Sequence, residues 1–296
     1  MEQKMISVII PTYNRKDKLP GCIKSVLGQS YRKIEVLVVD DGSTDGTEDL
    51  FRDISDPRLR YLRYAVNQGA CYARNYGAQK ACGELLAFQD SDDVWHTDKL
   101  QKQYDCLLSE GADMCFCGMN RISGGGSRFY YPVHPFHPER ALEEFLAENR
   151  ASTQTMLMYK GVWERLRFDE KIRRYQDWDF AIRAAQRFSL CYLPEALVES
   201  AVGTDSISAR VTSYPHLRHL HDKHEELYRQ YPGSEAVMNR RLGKRVRHTD
   251  PALAAAHFKK SFGLSRSFYD LGYWLADSFR ALVGNGGRMN ERENEG

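Results

Sequence analysis

The sequence predicts an α/β protein: a mixed, mostly parallel β-sheet flanked by helices and followed by a helical C-terminal extension. Three observations carry that prediction. Short β-branched apolar runs, Ile6–Ile10 and Val36–Val39, stop abruptly at Pro11 and at Asp40-Asp41-Gly42; they lack polar alternation, as strands covered on both faces do. Segments with helical spacing separate such runs, the pattern of a right-handed βαβ series. Beyond Arg210 the alternation ends and the pattern becomes helical.

In chain order, Ile6–Ile10 is a first strand and Leu19–Leu27 a helix. Glu35–Val39 is the second strand, ending in Asp40–Thr47, a loop by composition whose Ser, Thr and Asp residues can cap a helix beginning near Glu48. Tyr61–Tyr64 is a third strand, Ala70–Ala81 a helix, and Leu85–Phe88 a fourth strand running into Gln89-Asp90-Ser91-Asp92-Asp93. Gly118–Pro138, rich in Gly, Ser, Pro, His and aromatic residues, reads as a mobile loop over the ligand crevice. A helix over Glu139–Asn149, a strand over Gln154–Tyr159 and an acidic helix over Gln176–Phe188 complete the first part. Thr249-Asp250-Pro251 is an N-cap and first-turn signal for a helix over Ala252–Phe262, and the last two helices suit a hairpin.

The chain has 296 residues, 42% hydrophobic and 28% charged, a globular composition rather than a disordered or fibrous one. No run approaches the roughly 18 consecutive apolar residues of a spanning helix, and the mean hydropathy is −0.58, so no membrane span is expected. The first residues pass almost at once into a strand, without the succession of regions that marks a secretion signal, and a cytoplasmic location is expected. Seven cysteines, odd in number and mostly among apolar neighbours, fit a reducing compartment and no disulfide framework. Cys115 and Cys117 lack a second pair or a His cluster at zinc spacing and read as buried thiols.

The acids at 40, 41, 90, 92 and 93 all fall at strand C-termini, where a parallel sheet forms its crevice, so they line one mouth. Asp40-Asp41-Gly42-Ser43 alone is compatible with a turn and helix cap; the second acidic cluster points to a site. Like charges held together raise one another's pKa unless a cation lies between them. Hard oxygen donors without nearby His or Cys favour Mg²⁺ or Mn²⁺, which commonly bind a diphosphate together with one or two protein carboxylates. The expected ligand is a nucleotide diphosphate.

Five collinear motifs then carry a resemblance. Ser7-Val8-Ile9-Ile10-Pro11-Thr12-Tyr13-Asn14-Arg15, Val38–Thr47, Asn67-Gln68-Gly69, Ala73-Arg74-Asn75-Tyr76-Gly77 and Asp90-Ser91-Asp92-Asp93 resemble glycosyltransferase family 2 over roughly residues 5–210. The resemblance implies a GT-A fold, a Rossmann-like mixed sheet that transfers a sugar from a nucleotide-sugar with inversion. It implies a glycosyltransferase domain at 1–210, its nucleotide-binding half about 1–118 and its acceptor-binding half about 119–210, before a basic helical extension at 211–296. It further implies that Pro11, Thr12 and Tyr13 border the nucleotide and that Asp41 hydrogen-bonds uracil. Asn67, Gly69 and Arg74 would lie near base and diphosphate, with Asp90 and Ser91 in the donor site and Asp92 and Asp93 toward the metal. Asp177, in Tyr175-Gln176-Asp177-Trp178, resembles the family's catalytic base, although Gln176 stands where a Glu is common. By position alone, Asp177 and Asp179 could equally complement a helix dipole. The family often supplies a loop His after the last strand; here Ala201–Ser208 has none, and Asp205 is the candidate substitute.

The expected activity is thus a metal-dependent inverting hexosyltransferase, using a UDP-sugar donor and a saccharide or lipid-linked saccharide acceptor in surface polysaccharide biosynthesis. Two rivals stand beside it: a non-catalytic nucleotide-sugar binder, and an acidic-pocket phosphoacceptor or phosphohydrolase, which leaves the Asn67, Arg74 and Asp177 motifs unexplained. Charge separates the chain: residues 210–296 hold 15 Lys/Arg against 10 Asp/Glu, whereas residues 1–209 hold 27 against 30. The run Arg240–Arg247 with the aromatics beyond it fits either a solvated face or, through 238–283, contact with an anionic membrane surface at the inner face. With an acidic body and no recognition motif, no nucleic-acid partner is expected.

Overall fold

Burial on both faces explains the unbroken apolar runs. Strand β1 (Ile6–Thr12) is buried throughout and lies between β2 (Ile34–Asp40) and β4 (Leu85–Phe88), parallel to both, with Ile10 opposite Val38 and Ile9 opposite Phe88. Strand β3 (Leu59–Arg63) adds a parallel edge of partly exposed residues. The other strands are β5 (Asp93–Trp95), β6 (Met114–Ile122), β7 (Arg128–Tyr131), β8 (Met156–Tyr159) and β9 (Leu190–Ala201). The sheet order is β3-β2-β1-β4-β8-β6-β9-β5, with β7 paired to β6. Because β8 runs antiparallel to both β4 and β6, the sheet is mixed. The structure is a computed structural model and describes residues 3–52, 54–201 and 213–293.

Helices dress this sheet by regular spacing. Helix α1 (Leu19–Leu27) buries Leu19, Cys22, Ile23 and Val26, an i, i+3, i+4, i+7 set, and stops at Gly28. Helix α2 (Ala70–Lys80) crosses so close to β1 and β2 that a Cβ on Gly77 would stand 2.6 Å from Ile9 Cγ2 and 2.9 Å from Val39 Cγ2. Helix α3 (Lys99–Glu110) ends at Gly111 in the left-handed region. Helices α4 (Ala141–Ala147), α5 (Lys160–Leu166) and α6 (Gln176–Ala185) follow.

The chain forms two compact units, Met1–Phe145 with Asn149–Arg210, and Leu146–Glu148 with Val211–Gly296. The second is helical: α7 (Ser213–Lys223), α8 (Glu225–Gln230), α9 (Pro232–Val246), α10 (Pro251–Ser265) and α11 (Phe268–Glu293). Asp250 caps α10 by accepting from Leu253 N at 2.9 Å, as its sequence predicts. The basic run of α9 is neither free nor simply solvated. Arg240 grips the buried Asp270 at 2.6 and 2.8 Å, Arg247 reaches the buried Asp277 at 3.2 Å, and Arg241 bonds Glu148 at 2.8 Å. Lys244 lies over the Tyr269 ring, 5.1 Å from its centroid. These cations neutralise carboxylates that burial would otherwise penalise.

Several expectations need correction. Gly118–Pro138 is not one long loop: β6 continues to Ile122 and returns as β7, with Met119 opposite Tyr131 and Ile122 opposite Arg128. The glycines that suggested a loop form the hairpin turn, where Gly126 has a φ of +82° and its N–H bonds Ser123 O at 2.8 Å. The segment near Glu48 is only a short 3-10 helix, Thr47–Phe51, because Asp45 spends its carboxylate on Thr47 N and Oγ1 inside the loop. Glu139–Asn149 shortens to α4, and Gln154 and Thr155 lie in a 3-10 turn ahead of β8. Spacing alone did not mark β5, α3 or β9.

Candidate active site

The carboxyl ends of β1, β2 and β4 open on one side of the sheet, and the crevice there is built from the loops that follow them. The first two loops are stitched together: Asn14, at a φ of +51°, accepts from Thr44 N at 2.8 Å, and its own N–H bonds Ser43 Oγ at 2.9 Å. Pro11 and Thr12 are buried, whereas Tyr13 is 46% exposed over the opening. Thr12 Oγ1 is buried without a partner.

The two acids ending β2 do different work. Asp40 is fully buried and structural, accepting from Ser43 N at 2.7 Å and from the Tyr61 hydroxyl. It does not line the mouth as expected, because one oxygen holds the loop at Ser43 and the other the Tyr61 hydroxyl of β3. Asp41 accepts from Gln68 N at 2.6 Å and Gly69 N at 2.8 Å, so it draws Asn67-Gln68-Gly69 against the end of β2. Gly69, with a φ of +94°, turns the chain into α2, and Asn67 is exposed.

Helix α2 carries Arg74 beneath the loop after β4. Arg74 is 5% exposed and its Nη2 bonds Asp90 Oδ1 at 2.7 Å, while Nε and Nη1 are buried with no partner. A buried guanidinium with two unmet donors is costly to leave so and is disposed toward an oxyanion. Ser91, next to Asp90 in the chain, is buried, and Asp92 is half-exposed, 3.7 Å from Arg15 Nη2 and 4.0 Å from Lys18 Nζ. Burial and the nearby Asp90 raise the Asp92 pKa, against the pull of Arg15 and Lys18. Asp93 points elsewhere in its bonding. It opens β5, is 3% exposed, and its Oδ2 accepts from Gln154 Nε2 at 2.8 Å, so Asp92 is the better placed of the two toward a cation.

Asp177 stands in the first turn of α6. Tyr175, two residues before it, is the N-cap of that helix and sits in the left-handed region at a φ of +67°. Asp177 Oδ1 accepts from Trp178 N at 2.8 Å, and Asn149 also hydrogen-bonds it. Burial raises its pKa; Arg74 lowers it and Asp90 raises it, which places all three within electrostatic reach of one another. The structure therefore brings Arg74, Asp90, Asp92 and Asp177 toward one crevice, with Asp41 and Gly69 shaping a flank. Ala201 ends the described part of β9, and Asp205 lies outside the described residues.

Sequence reasoning missed three contributors. Arg15 and Lys18 face Asp92; Arg15 closes the first motif and Lys18 follows three residues later, which was their signal. Asn75 is the third: its amide donates to Phe168 O and Glu170 Oε1, both at 2.9 Å, and accepts from Trp163 Nε1 and Phe168 N. It thereby fixes the segment before α6 onto α2.

The donor set suits a hard divalent cation in one way. Among the described residues no three acidic groups of the crevice bring ligand oxygens within 4.8 Å of one another. A single carboxylate such as Asp92 can hold Mg²⁺ or Mn²⁺ where water or the oxygens of a ligand complete the shell.

A family model for glycosyl transferase family 2 matches residues 7–174. The chain belongs to glycosyltransferase family 2. It is 38% identical over 132 residues to the putative teichuronic acid biosynthesis glycosyltransferase TuaG of Bacillus subtilis (strain 168), covering 44% of this chain and 52% of that one. It is 36% identical over 116 residues to the Escherichia coli UDP-Glc:alpha-D-GlcNAc-diphosphoundecaprenol beta-1,3-glucosyltransferase WfgD, covering 39% and 46%. The matches thus span about half the length of these relatives. Among solved structures, Staphylococcus aureus TarS 1-349 superposes with a TM-score of 0.59 at 19% identity, covering 92% of this chain and 78% of that one. The mannosyltransferase PcManGT from Pyrobaculum calidifontis, solved with GDP-Man and Mn²⁺, gives 0.56 at 18% identity over 95% and 88%. Both likenesses bear on the GT-A fold alone. Family membership leaves the phosphoacceptor reading without support.

Proposed function

We propose that this protein is an inverting, metal-dependent glycosyltransferase that moves a sugar from a UDP-sugar to a saccharide or lipid-linked saccharide acceptor in polysaccharide biosynthesis. The observation that carries the reading is Arg74: buried, tied to Asp90, and left with two donor nitrogens, Nε and Nη1, unmet beside the carboxylates of the crevice. A diphosphate supplies the oxygens those donors lack. The family membership and the UDP-Glc named for WfgD support UDP as the nucleotide, as do the complexes of TarS with UDP and UDP-GlcNAc.

In this reading Asp41 accepts from the uracil ring on its remaining lone pairs, Tyr13 borders the base, and Arg74 and Lys18 hold the diphosphate. Asp92 is the protein ligand of the metal. Bound Mg²⁺ or Mn²⁺ would offset the charge that develops on departing UDP. Asp177 takes the proton of the acceptor hydroxyl as that oxygen attacks the anomeric carbon from the face opposite UDP, so a single displacement inverts the centre.

Calorimetric titration of UDP against GDP and ADP, with and without Mn²⁺, tests the reading. UDP-selective, metal-strengthened binding is expected, and no nucleotide binding would overturn it. Asp41→Ala should weaken UDP by about 10-fold or more, as the loss of a charged hydrogen bond does, and should erode selectivity against GDP; unchanged affinity would remove the uracil contact.

Peripheral membrane contact fits α11 better than the basic run, since Arg240, Arg241 and Arg247 are already paired. Phe268, Leu275, Phe279 and Leu282 are exposed along one stripe of that helix. No helix among the described residues is long and apolar enough to cross a membrane. Sedimentation with anionic liposomes, lost on Phe268→Ser/Phe279→Ser, is the expected result; equal sedimentation of both proteins would sink the idea.

A further inference from the structure

Three thiols that are far apart in the chain meet under α3. Cys106 lies on α3, Cys115 on β6, and Cys191 on β9, directly beside Cys115 in the parallel register. Cys106 Sγ is 3.4 Å from Cys191 Sγ, and the three sulfurs all lie within 4.8 Å of one another. Cys115 and Cys191 are buried, whereas Cys106 is half-exposed and opens the group to solvent. Among the described residues no other group of three His, Cys, Asp or Glu residues converges so closely. The sulfurs are well beyond the roughly 2.05 Å of a disulfide bond. They bracket instead the spacing of about 3.8–4.0 Å that three sulfurs adopt around a central ion at about 2.3 Å.

Charge and hydrogen bonding around the group point the same way. Lys99 is fully buried, its Nζ bonded to Gln103 Oε1 at 2.6 Å and set 3.9 Å from the centroid of the Trp95 ring; burial pushes its pKa down to about 8, against the pull of the Cys117 and Cys115 thiols. A buried ammonium calls for a negative neighbour. Gln103, which holds Lys99, also donates from Nε2 to Thr155 O at 2.8 Å and toward Cys115 Sγ at 3.8 Å, the kind of outer contact that orients a ligating thiolate. Neither Lys99 nor the thiols take part in the chemistry at the crevice.

We propose that Cys106, Cys115 and Cys191 bind one soft, thiophilic metal ion of the zinc class through three thiolates, with a water at the Cys106 side as fourth ligand. Binding releases three thiol protons to solvent. A divalent ion with three thiolates carries one net negative charge, which the Lys99 ammonium offsets. Soft sulfur donors also exclude the Mg²⁺ or Mn²⁺ of the crevice from this place, so the site would be structural and separate from sugar transfer.

The 296-residue chain, reduced and stripped with a chelator, is titrated with Cd²⁺ as a spectroscopic probe and with Zn²⁺ against a chromophoric chelator. One equivalent is expected to produce thiolate-to-cadmium charge-transfer absorption and to protect the half-exposed Cys106 from alkylation while the exposed Cys82 stays reactive. Cys106→Ser should weaken binding on the order of 100-fold or more, beyond the effect of losing an outer contact, while Cys82→Ser at an exposed thiol should leave it unchanged. The alkylation pattern is read on the unaltered chain and stands even if a variant misfolds. Failure to take up one equivalent, protection of Cys82 in place of Cys106, or recovery of a Cys106–Cys191 disulfide in place of the metal would overturn the proposal.

Discussion

Asp177→Asn is expected to lower sugar transfer on the order of 1,000-fold while UDP affinity stays within about twofold, the loss typical of removing a positioned base. The substitution is nearly isosteric, and the Asn oxygen can still accept from Trp178 N, so the first turn of α6 keeps its geometry. Only the proton acceptor is lost. In the native protein burial raises the Asp177 pKa and Arg74 moderates the rise, which makes the carboxylate a stronger base than an ordinary aspartate. As the proposed base Asp177 acts deprotonated, so transfer should fall as pH drops through its pKa, and the acid limb of kcat/KM should lie higher than an ordinary aspartate would place it. Steady-state kinetics with UDP titration on both proteins checks the split. Turnover near wild type in Asp177→Asn would assign the base elsewhere.

Asp92→Asn is expected to abolish the metal-dependent part of UDP binding, on the order of 10- to 100-fold in affinity at saturating Mn²⁺, and with it nearly all activity. Binding without metal should survive or strengthen slightly. The reason is the position of Arg15 and Lys18, 3.7 and 4.0 Å from the Asp92 carboxylate. Removal of that charge takes away the pull of residue 92 on both cations, so the loss of the metal bridge is partly offset by their stronger attraction to the diphosphate. Calorimetry with and without Mn²⁺ distinguishes this from general damage, since misfolding would lower both values. Full retention of the metal effect would move the ligand role to Asp90 or Asp93.

Much of this arrangement is legible in the sequence, and unevenly so. The strands β1, β2 and β4 and the helix α1 are local: an apolar run or an i, i+3, i+4 set marks each, although β1 runs one residue past the Pro11 that was expected to end it. Asp41, Asp90 and Asp92 stand just past the ends of β2 and β4, which is why they could be picked out, whereas Arg74, inside α2, was marked only by its motif. The acids themselves could not be sorted. Asp40 and Asp41 are adjacent and alike, yet Asp40 is bound to Ser43 and Tyr61 while Asp41 holds Gln68 and Gly69. Asp92 and Asp93 divide in the same manner, one half-exposed between cations and the other committed to Gln154.

Hydrophobic period, turn residues and the order of motifs along the chain thus determined the α/β class, the mouth of the crevice and the family. Tertiary structure alone decided which carboxylate remains available, how the hairpin of β6 and β7 replaces a loop, and where the charges of α9 go. It also decided that Cys106, Cys115 and Cys191 share one place. The physical reason is range: backbone propensity acts over a few residues, whereas the protonation, pairing and exposure of a side chain depend on neighbours that only sheet pairing and helix packing bring within a few ångströms.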